Sequence, residues 1–310
     1  MVPFAIAGIQ MRISAEASNV PRMAGRLAVV MRRFPWVQMV VFSELCAHGP
    51  LLRFAEALPS PSELSFCELA RQHDIWLIPG SMFEVVEGRI FNTATVINPG
   101  GEVVGRYRKM FPFEPYEANI AAGREPLVFD VPAVGRFGLS ICYDMWFPET
   151  SRTLVAMGAE VILHPSLTDT IDRDVELAIV RANAAMNQCY VFDINGVGDG
   201  GIGRSTIVDP SGHVVYAAGS EEEVIPIEID LDRVRRERHV GLLGLGQTLK
   251  SFRDRRADFP VYQPQGFDAG YLDSLGPLTI PARRSVRAPG GPAEAAEPAP
   301  LPAAVGETLA

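Results

Sequence analysis

The sequence predicts an α/β protein in which two sheets pack face to face with helices on their outer sides. Short β-rich apolar runs alternate with helical stretches through most of the chain, the pattern of sheets covered by helices. A hairpin signature also occurs twice. Residues 96–104 read VINPGGEVV and residues 207–215 read IVDPSGHVV, each a strand, an Asn/Asp-Pro turn containing Gly, and a second strand. One such hairpin in each half implies two similar halves and therefore two sheets.

The elements follow in order. FAIAGIQ near the N-terminus is a first strand, residues 15–34 a helix, VQMVVFS a second strand, residues 62–74 a second helix, and IWLIPGSM a third strand. Residues 90–107 form a strand pair around the first hairpin turn, and strands are expected near Leu127 and Phe137. A helix follows Pro148, which suits the first turn because its missing N–H is not needed there. The strand AEVILH, a helix over residues 172–187, the strand CYVFDIN, the second hairpin around Ile207 and Val214, and the strand VIPIEID complete the series.

Composition excludes several classes of function. The 310 residues are 47% hydrophobic and 21% charged, an ordinary balance for a chain that buries a full core in one large domain or two. With 28 basic against 37 acidic residues, the formal charge of −9 disfavours a nucleic-acid backbone or an anionic membrane as partner. No apolar run approaches the ~20 residues of a membrane span, and MVPFAIAGIQMR lacks a basic segment ahead of a long apolar one, so a cytoplasmic protein is expected. Cys46, Cys67, Cys142 and Cys189 lie far apart without Cys-x-x-Cys spacing, and no disulfide is expected.

Three polar residues stand just past the ends of three strand-like runs: Glu44 after VQMVVFS, Lys109 after EVVGRYR and Cys142 after RFGLSI. A carboxylate, an ammonium and a thiol brought to one sheet edge supply a base, an electrostatic stabiliser and a nucleophile, the minimum equipment for acyl transfer. Cys142 sits between a strand and a following helix, where a helix N-terminus would lower its pKa. Other signals carry less. GVGDGG at residues 196–201 satisfies Gly-x-Gly-x-x-Gly, yet a strand and turn follow it where a dinucleotide site needs a helix, so a flexible loop beside the cleft is expected. The five histidines show no paired metal-ligand spacing, and Ser205 lies in no Gly-x-Ser-x-Gly elbow, so neither a metal nor another cofactor is called for.

Glu44 in FSELCAHG, Lys109 in YRKMFPF and Cys142 in ICYDMWFPE, in this order and each closing a strand, resemble the Glu-Lys-Cys triad of the nitrilase superfamily of carbon-nitrogen hydrolases. The resemblance covers residues 4–262, including the GRSTIVDPSGHVV hairpin and the closing FRDRR. It implies a four-layer αββα sandwich over residues 1–265, assembled into homodimers or larger homo-oligomers, and an amidase-like branch. A second glutamate stands between the Lys and the Cys in that family; Glu117 is the choice here, with Glu114 as the neighbouring alternative. The implied chemistry has Glu44 taking the thiol proton, Lys109 and the Tyr143 N–H receiving the oxyanion, and Glu117 orienting Lys109 or the substrate.

Substrate contacts are expected from Tyr116, Tyr143, Trp146 and the loop of His164 and Ser166, which corresponds to a substrate-lining loop in relatives. Trp146 replaces an Arg common at that position, which weakens a preference for a carboxylate-bearing substrate. Tyr143-Asp144 stands where the nitrile-cleaving branch has Trp-Glu, which favours a small linear amide over a nitrile. A nitrilase, an N-carbamoyl hydrolase, and a binding or assembly module with a fossil site are the competing readings. Residues 241–265 are expected to form a helix-free surface arm against a neighbouring subunit, 266–282 a further C-terminal arm, and the Pro/Ala-rich residues 283–310 a disordered tail.

Overall fold

Alternation along Met39–Phe42 sets the layers. Met39 and Val41 point into one apolar cluster and Val40 and Phe42 into another, as the two-residue period of a strand requires. The computed structural model describes residues 1–255, 257–263 and 269–281. Its first half runs β1 (Pro3–Gln10), β2 (Arg12–Ile13), α1 (Val20–Arg33), β3 (Met39–Phe42), α2 (Pro61–His73), β4 (Trp76–Ile78), β5 (Ser81–Val86), β6 (Arg89–Ile97) and β7 (Val103–Arg108). The second half runs β8 (Leu127–Val131), β9 (Gly135–Leu139), α3 (Pro148–Ala156), β10 (Val161–Ser166), α4 (Arg173–Asn187), β11 (Tyr190–Asn195), β12 (Val197–Gly198), β13 (Gly201–Ile202), β14 (Thr206–Val208), β15 (Val214–Ala217), β16 (Glu223–Asp230) and α5 (Leu231–Val240). Two further helices, α6 (Thr248–Arg255) and α7 (Gly270–Asp273), follow.

The strands make two large mixed sheets. One has the order β16-β1-β3-β4-β6-β5, with β7 also paired to β6; the other has the order β15-β14-β11-β10-β9-β8. The last strand β16 returns to pair antiparallel with β1 along its whole length, Pro3 opposite Asp230 and Gln10 opposite Glu223. Between the sheets lie Phe4, Ile6, Val41 and Val96 from one side and Phe137, Leu163, Phe192 and Ile207 from the other. The outer face of the first sheet is covered by Met23, Leu27, Val30 and Phe66 of α1 and α2, and that of the second by Leu154, Val155, Val180 and Ala184 of α3 and α4. This is the four-layer αββα sandwich. Each of these large side chains contributes roughly 1.5–3 kcal/mol by leaving water.

The repeated hairpin is the same structure twice. In β6–β7 the Gly101 N–H donates to the Asn98 carbonyl and in β14–β15 the Gly212 N–H donates to the Asp209 carbonyl, both at 2.9 Å. The two glycines take φ of +78° and +80°, a conformation that a side chain would strain.

Several expectations need correcting. IWLIPGSM is two strands, because Gly80 at φ +78° turns the chain where a Cβ would stand 1.8 Å from the Ser43 carbonyl oxygen. The first helix begins at Val20, with Pro21 in its first turn, rather than near residue 15. The segment 241–265 is not helix-free, since α6 lies within it, and α5 precedes it unforeseen. Residues 196–201 form a β12–β13 hairpin pinned to β2 rather than a free loop. The C-terminal arm at 266–282 holds the short α7, and the tail 283–310 lies outside the described residues. No described helix is long and apolar enough to cross a membrane.

Candidate active site

The first sheet delivers Glu44 and Lys109, and the second delivers Cys142. Glu44 stands two residues past β3, where its N–H donates to the Ser166 carbonyl at 3.2 Å and ties it to the end of β10 in the opposite sheet. Lys109 directly follows β7, and its N–H continues the ladder to the Asn92 carbonyl at 2.8 Å. Both side chains are buried, at 2% and 1% exposure.

Burial without partners would be costly for these charges, and the structure supplies partners. Lys109 Nζ donates to Glu44 Oε1 at 3.0 Å and to Glu117 Oε2 at 2.9 Å. Asn92 Nδ2 donates to the same Glu44 Oε1 at 2.7 Å, and the Phe113 N–H donates to Glu117 Oε2 at 2.6 Å. Between the two candidate auxiliary glutamates, Glu117 is the one brought to Lys109; Glu114 is exposed and has no ion pair among the described residues.

Cys142 is not reached by a continuous strand. β9 ends at Leu139, the chain turns at Cys142 with φ +46°, and a five-residue 3-10 turn over Cys142–Trp146 follows, with α3 starting only at Pro148. A left-handed non-glycine residue is strained and persists where its surroundings hold it. Here Asp144 does so: Oδ2 accepts from the Ile141 N–H at 2.8 Å and the Tyr107 hydroxyl at 2.6 Å, and Oδ1 accepts from the Phe111 N–H at 2.9 Å. Asn183 Nδ2 on α4 braces the Met145 carbonyl at 3.0 Å. The Tyr143 N–H, next to the thiol, has no acceptor among the described residues.

Electrostatics reverse the expectation that the thiol is acidic. Burial, and then the Glu44 carboxylate, push Cys142 well above the ordinary thiol range, against the pull of Lys109. Burial raises the Glu44 carboxyl as well, with Lys109 opposing. Burial works against the Lys109 ammonium, but Glu44, Cys142 and Glu117 outweigh it and hold its pKa above the usual value. Two carboxylates around one ammonium already leave one negative charge, so a resting thiolate would add a second. Glu44 and Cys142 line the same cavity, and the Glu44 charge is among the causes that raise the thiol.

A cavity of about 170 Å³ opens beside these groups and is walled by Tyr143, Trp146, Phe113, Leu167 and Glu176. Of the expected contact residues, Tyr143 and Trp146 line it and the other three do not. Tyr116 is 59% exposed and stacks on Phe113 at 5.0 Å between ring centroids. His164 is buried behind the nucleophile with Nδ1 2.7 Å from Ser140 Oγ, and burial lowers its pKa to about 4. Ser166 Oγ donates to Asp193 at 2.7 Å, within a buried network that includes Arg173. Sequence reasoning missed Asn92, Asp144 and Glu176. Asp144 carried a signal, a carboxylate two residues after the thiol in an otherwise apolar stretch. Ser205 donates to Gln10 at 2.7 Å and has no triad around it. The four cysteines are free, and the described residues hold no group of three or more His, Cys, Asp or Glu suited to a metal.

Fold and site together bring a buried thiol, ammonium and carboxylate from two sheets to one cavity, the layout of a hydrolase site. The family model for carbon-nitrogen hydrolases matches residues 5–239. The chain belongs to that family, in the amidase-like branch of the nitrilase superfamily. It is 28% identical over 279 residues to the omega-amidase NIT2 of Homo sapiens, covering 83% of this chain and 97% of that one. An (R)-stereoselective amidase of Pseudomonas sp is 31% identical over 210 residues, 64% of this chain and 76% of the relative. The crystal structure of Nit3 of Saccharomyces cerevisiae, a member of branch 10 of the nitrilase superfamily, superposes with a TM-score of 0.72 at 25% identity, covering 82% of this chain and 97% of that one.

Proposed function

We propose that the protein hydrolyses the C–N bond of a small linear amide to a carboxylic acid and ammonia through a thioester. The observation that carries this reading is the convergence of Glu44, Lys109, Glu117 and Cys142 on one small cavity, with Lys109 bonded to both carboxylates. Cys142 Sγ attacks the carbonyl carbon while its proton passes to Glu44, and Lys109 with the Tyr143 N–H receives the oxyanion. As the C–N bond breaks, Glu44 returns the proton to the leaving nitrogen and ammonia departs. Water then attacks the thioester, giving a proton to Glu44; the S–C bond breaks and the sulfur recovers its proton. Glu117 holds Lys109 in place throughout.

Ammonia release from aliphatic and aromatic amides, alongside nitriles and carbamoyl compounds of equal chain length, tests the reading in wild type and Cys142→Ala. Ammonia from an aliphatic amide series, lost in the variant, is the expected result. Turnover of only a nitrile or a carbamoyl compound moves the protein to another branch. We also propose a homo-oligomer, for which the exposed Phe252, Phe259, Val261 and Tyr262 past α5 give an apolar surface to cover. Light scattering reads that directly.

A further inference from the structure

The cavity beside Cys142 is unbalanced in charge, and we infer that it selects linear amides whose far end carries an ammonium group. This substrate class rests on the amidase reading above. Around the cavity Glu44, Glu117, Asp169, Asp172 and Glu176 are acidic, and Lys109 is the single cation among the described lining residues. Lys109 is committed to Glu44 and Glu117, so no cation is left to receive an anionic tail.

Glu176 on α4 is the decisive group. Its side chain is only 6% exposed, yet it lines the cavity. Oε2 accepts from Arg173 Nη1 at 3.0 Å, while Oε1 has no donor among the described residues. Arg173 stands outside the cavity wall and is shared: its Nη2 donates to Asp193 at 2.5 Å and to the Arg204 carbonyl at 3.0 Å. One guanidinium therefore serves two carboxylates, so the set carries one negative charge whenever Glu176 is ionised. Oε1 faces the cavity that Glu176 lines, and a cation entering there would meet a carboxylate oxygen with no protein donor among the described residues. Glu176 and Cys142 line the same cavity, so a ligand of modest length reaches both. Trp146, Leu167 and Leu45 provide the apolar wall along which methylenes would lie.

The test compares kcat/KM for three amides of matched chain length, ending in ammonium, methyl and carboxylate, over chains of three to six carbons. Wild type should favour the ammonium amide at least ~10-fold over the methyl one, the scale of one charge-assisted hydrogen bond, with the carboxylate amide last. In Glu176→Gln that ratio should fall about tenfold, and added salt should erode it in wild type. A methyl or carboxylate amide turned over as well as the ammonium amide overturns the inference while leaving the amidase standing. Calorimetry on Cys142→Ala reads selection without chemistry. Preferential binding of the ammonium amides there, with no turnover of any amide by wild type, would sustain the charge selection and remove the amidase. Equal or absent binding across the three tails, without a turnover preference, removes the selection.

Discussion

The Tyr107 hydroxyl donates to Asp144 Oδ2 at 2.6 Å, joining the strand that leads into Lys109 to the turn that begins with Cys142. Tyr107 lies in the first sheet and Asp144 in the turn that follows β9 of the second, so this bond fixes the Cys142 turn relative to Lys109. Tyr107→Phe should cost about 1–3 kcal/mol of stability, because a buried carboxylate oxygen loses a donor, and should lower kcat more than it raises KM. Denaturant titration and steady-state kinetics read the two effects.

Removing the Lys109 charge should be far more damaging. Lys109→Met leaves Glu44 and Glu117 buried around an uncharged side chain, a loss of about 3–5 kcal/mol, and removes an oxyanion donor, a further factor of about 10² or more in turnover. Glu44 takes up a proton more readily without the ammonium that opposes its raised pKa, so the variant should recover part of its stability in acid. Melting temperatures measured from pH 7 down to 5 check that recovery.

The acid limb of activity should report Glu44. Glu44 must be ionised to accept the thiol proton, and burial raises its pKa, so kcat/KM should fall as pH drops through a value above the ordinary 4.5. Lys109 contributes no alkaline limb near neutrality, since its pKa stands above its usual value.

Stability should depend on Glu176 in the opposite sense from an exposed carboxylate. Burial, and the nearby Asp193 and Asp172, push its carboxyl up to about 7 from 4.5 against the pull of Arg173. A raised carboxyl stabilises the fold fully below pH 4.5, and that contribution is lost as pH rises toward 7. The gap of about 2.5 in pKa corresponds to about 3 kcal/mol. Glu176→Gln should flatten this part of the stability profile in urea titrations across pH 4.5–7.

Gly80→Ala should prevent folding. Its Cβ would stand 1.8 Å from the Ser43 carbonyl oxygen, a backbone atom next to Glu44, and φ +78° is itself unfavourable for alanine. Soluble expression and circular dichroism suffice as the measurement.

Which parts of this were legible follows from how local each signal is. The strands were readable because Val, Ile and Phe concentrate in short runs, and the three reactive residues because polar groups at the ends of such runs are conspicuous. The hairpin echo was readable because its turn depends on four adjacent residues. By contrast, α5 reads LDRVRRERHV and buries only Leu231 and Val234, too few apolar positions to show a helical period. Asn92 acts through a partner 48 residues away, and Glu176 reaches the cavity from a helix layer remote in sequence from Glu44 and Lys109, which no local pattern encodes. The expected acidity of Cys142 failed for the same reason. A strand-to-helix elbow is local, but the burial and the Glu44 charge that raise the thiol are tertiary.

The Cys142 turn and the Glu44 loop come from different sheets, so the distance between nucleophile and base is also a measure of how the two sheets are seated on one another. Side chains such as Val41, Ile78 and Leu163, remote from substrate, set that seating. Trimming one of them by a single methyl group would shift a proton donor against its acceptor by fractions of an ångström. On the proposed mechanism, reaction rate becomes a strain gauge for the interior, responding to repacking before global unfolding registers it.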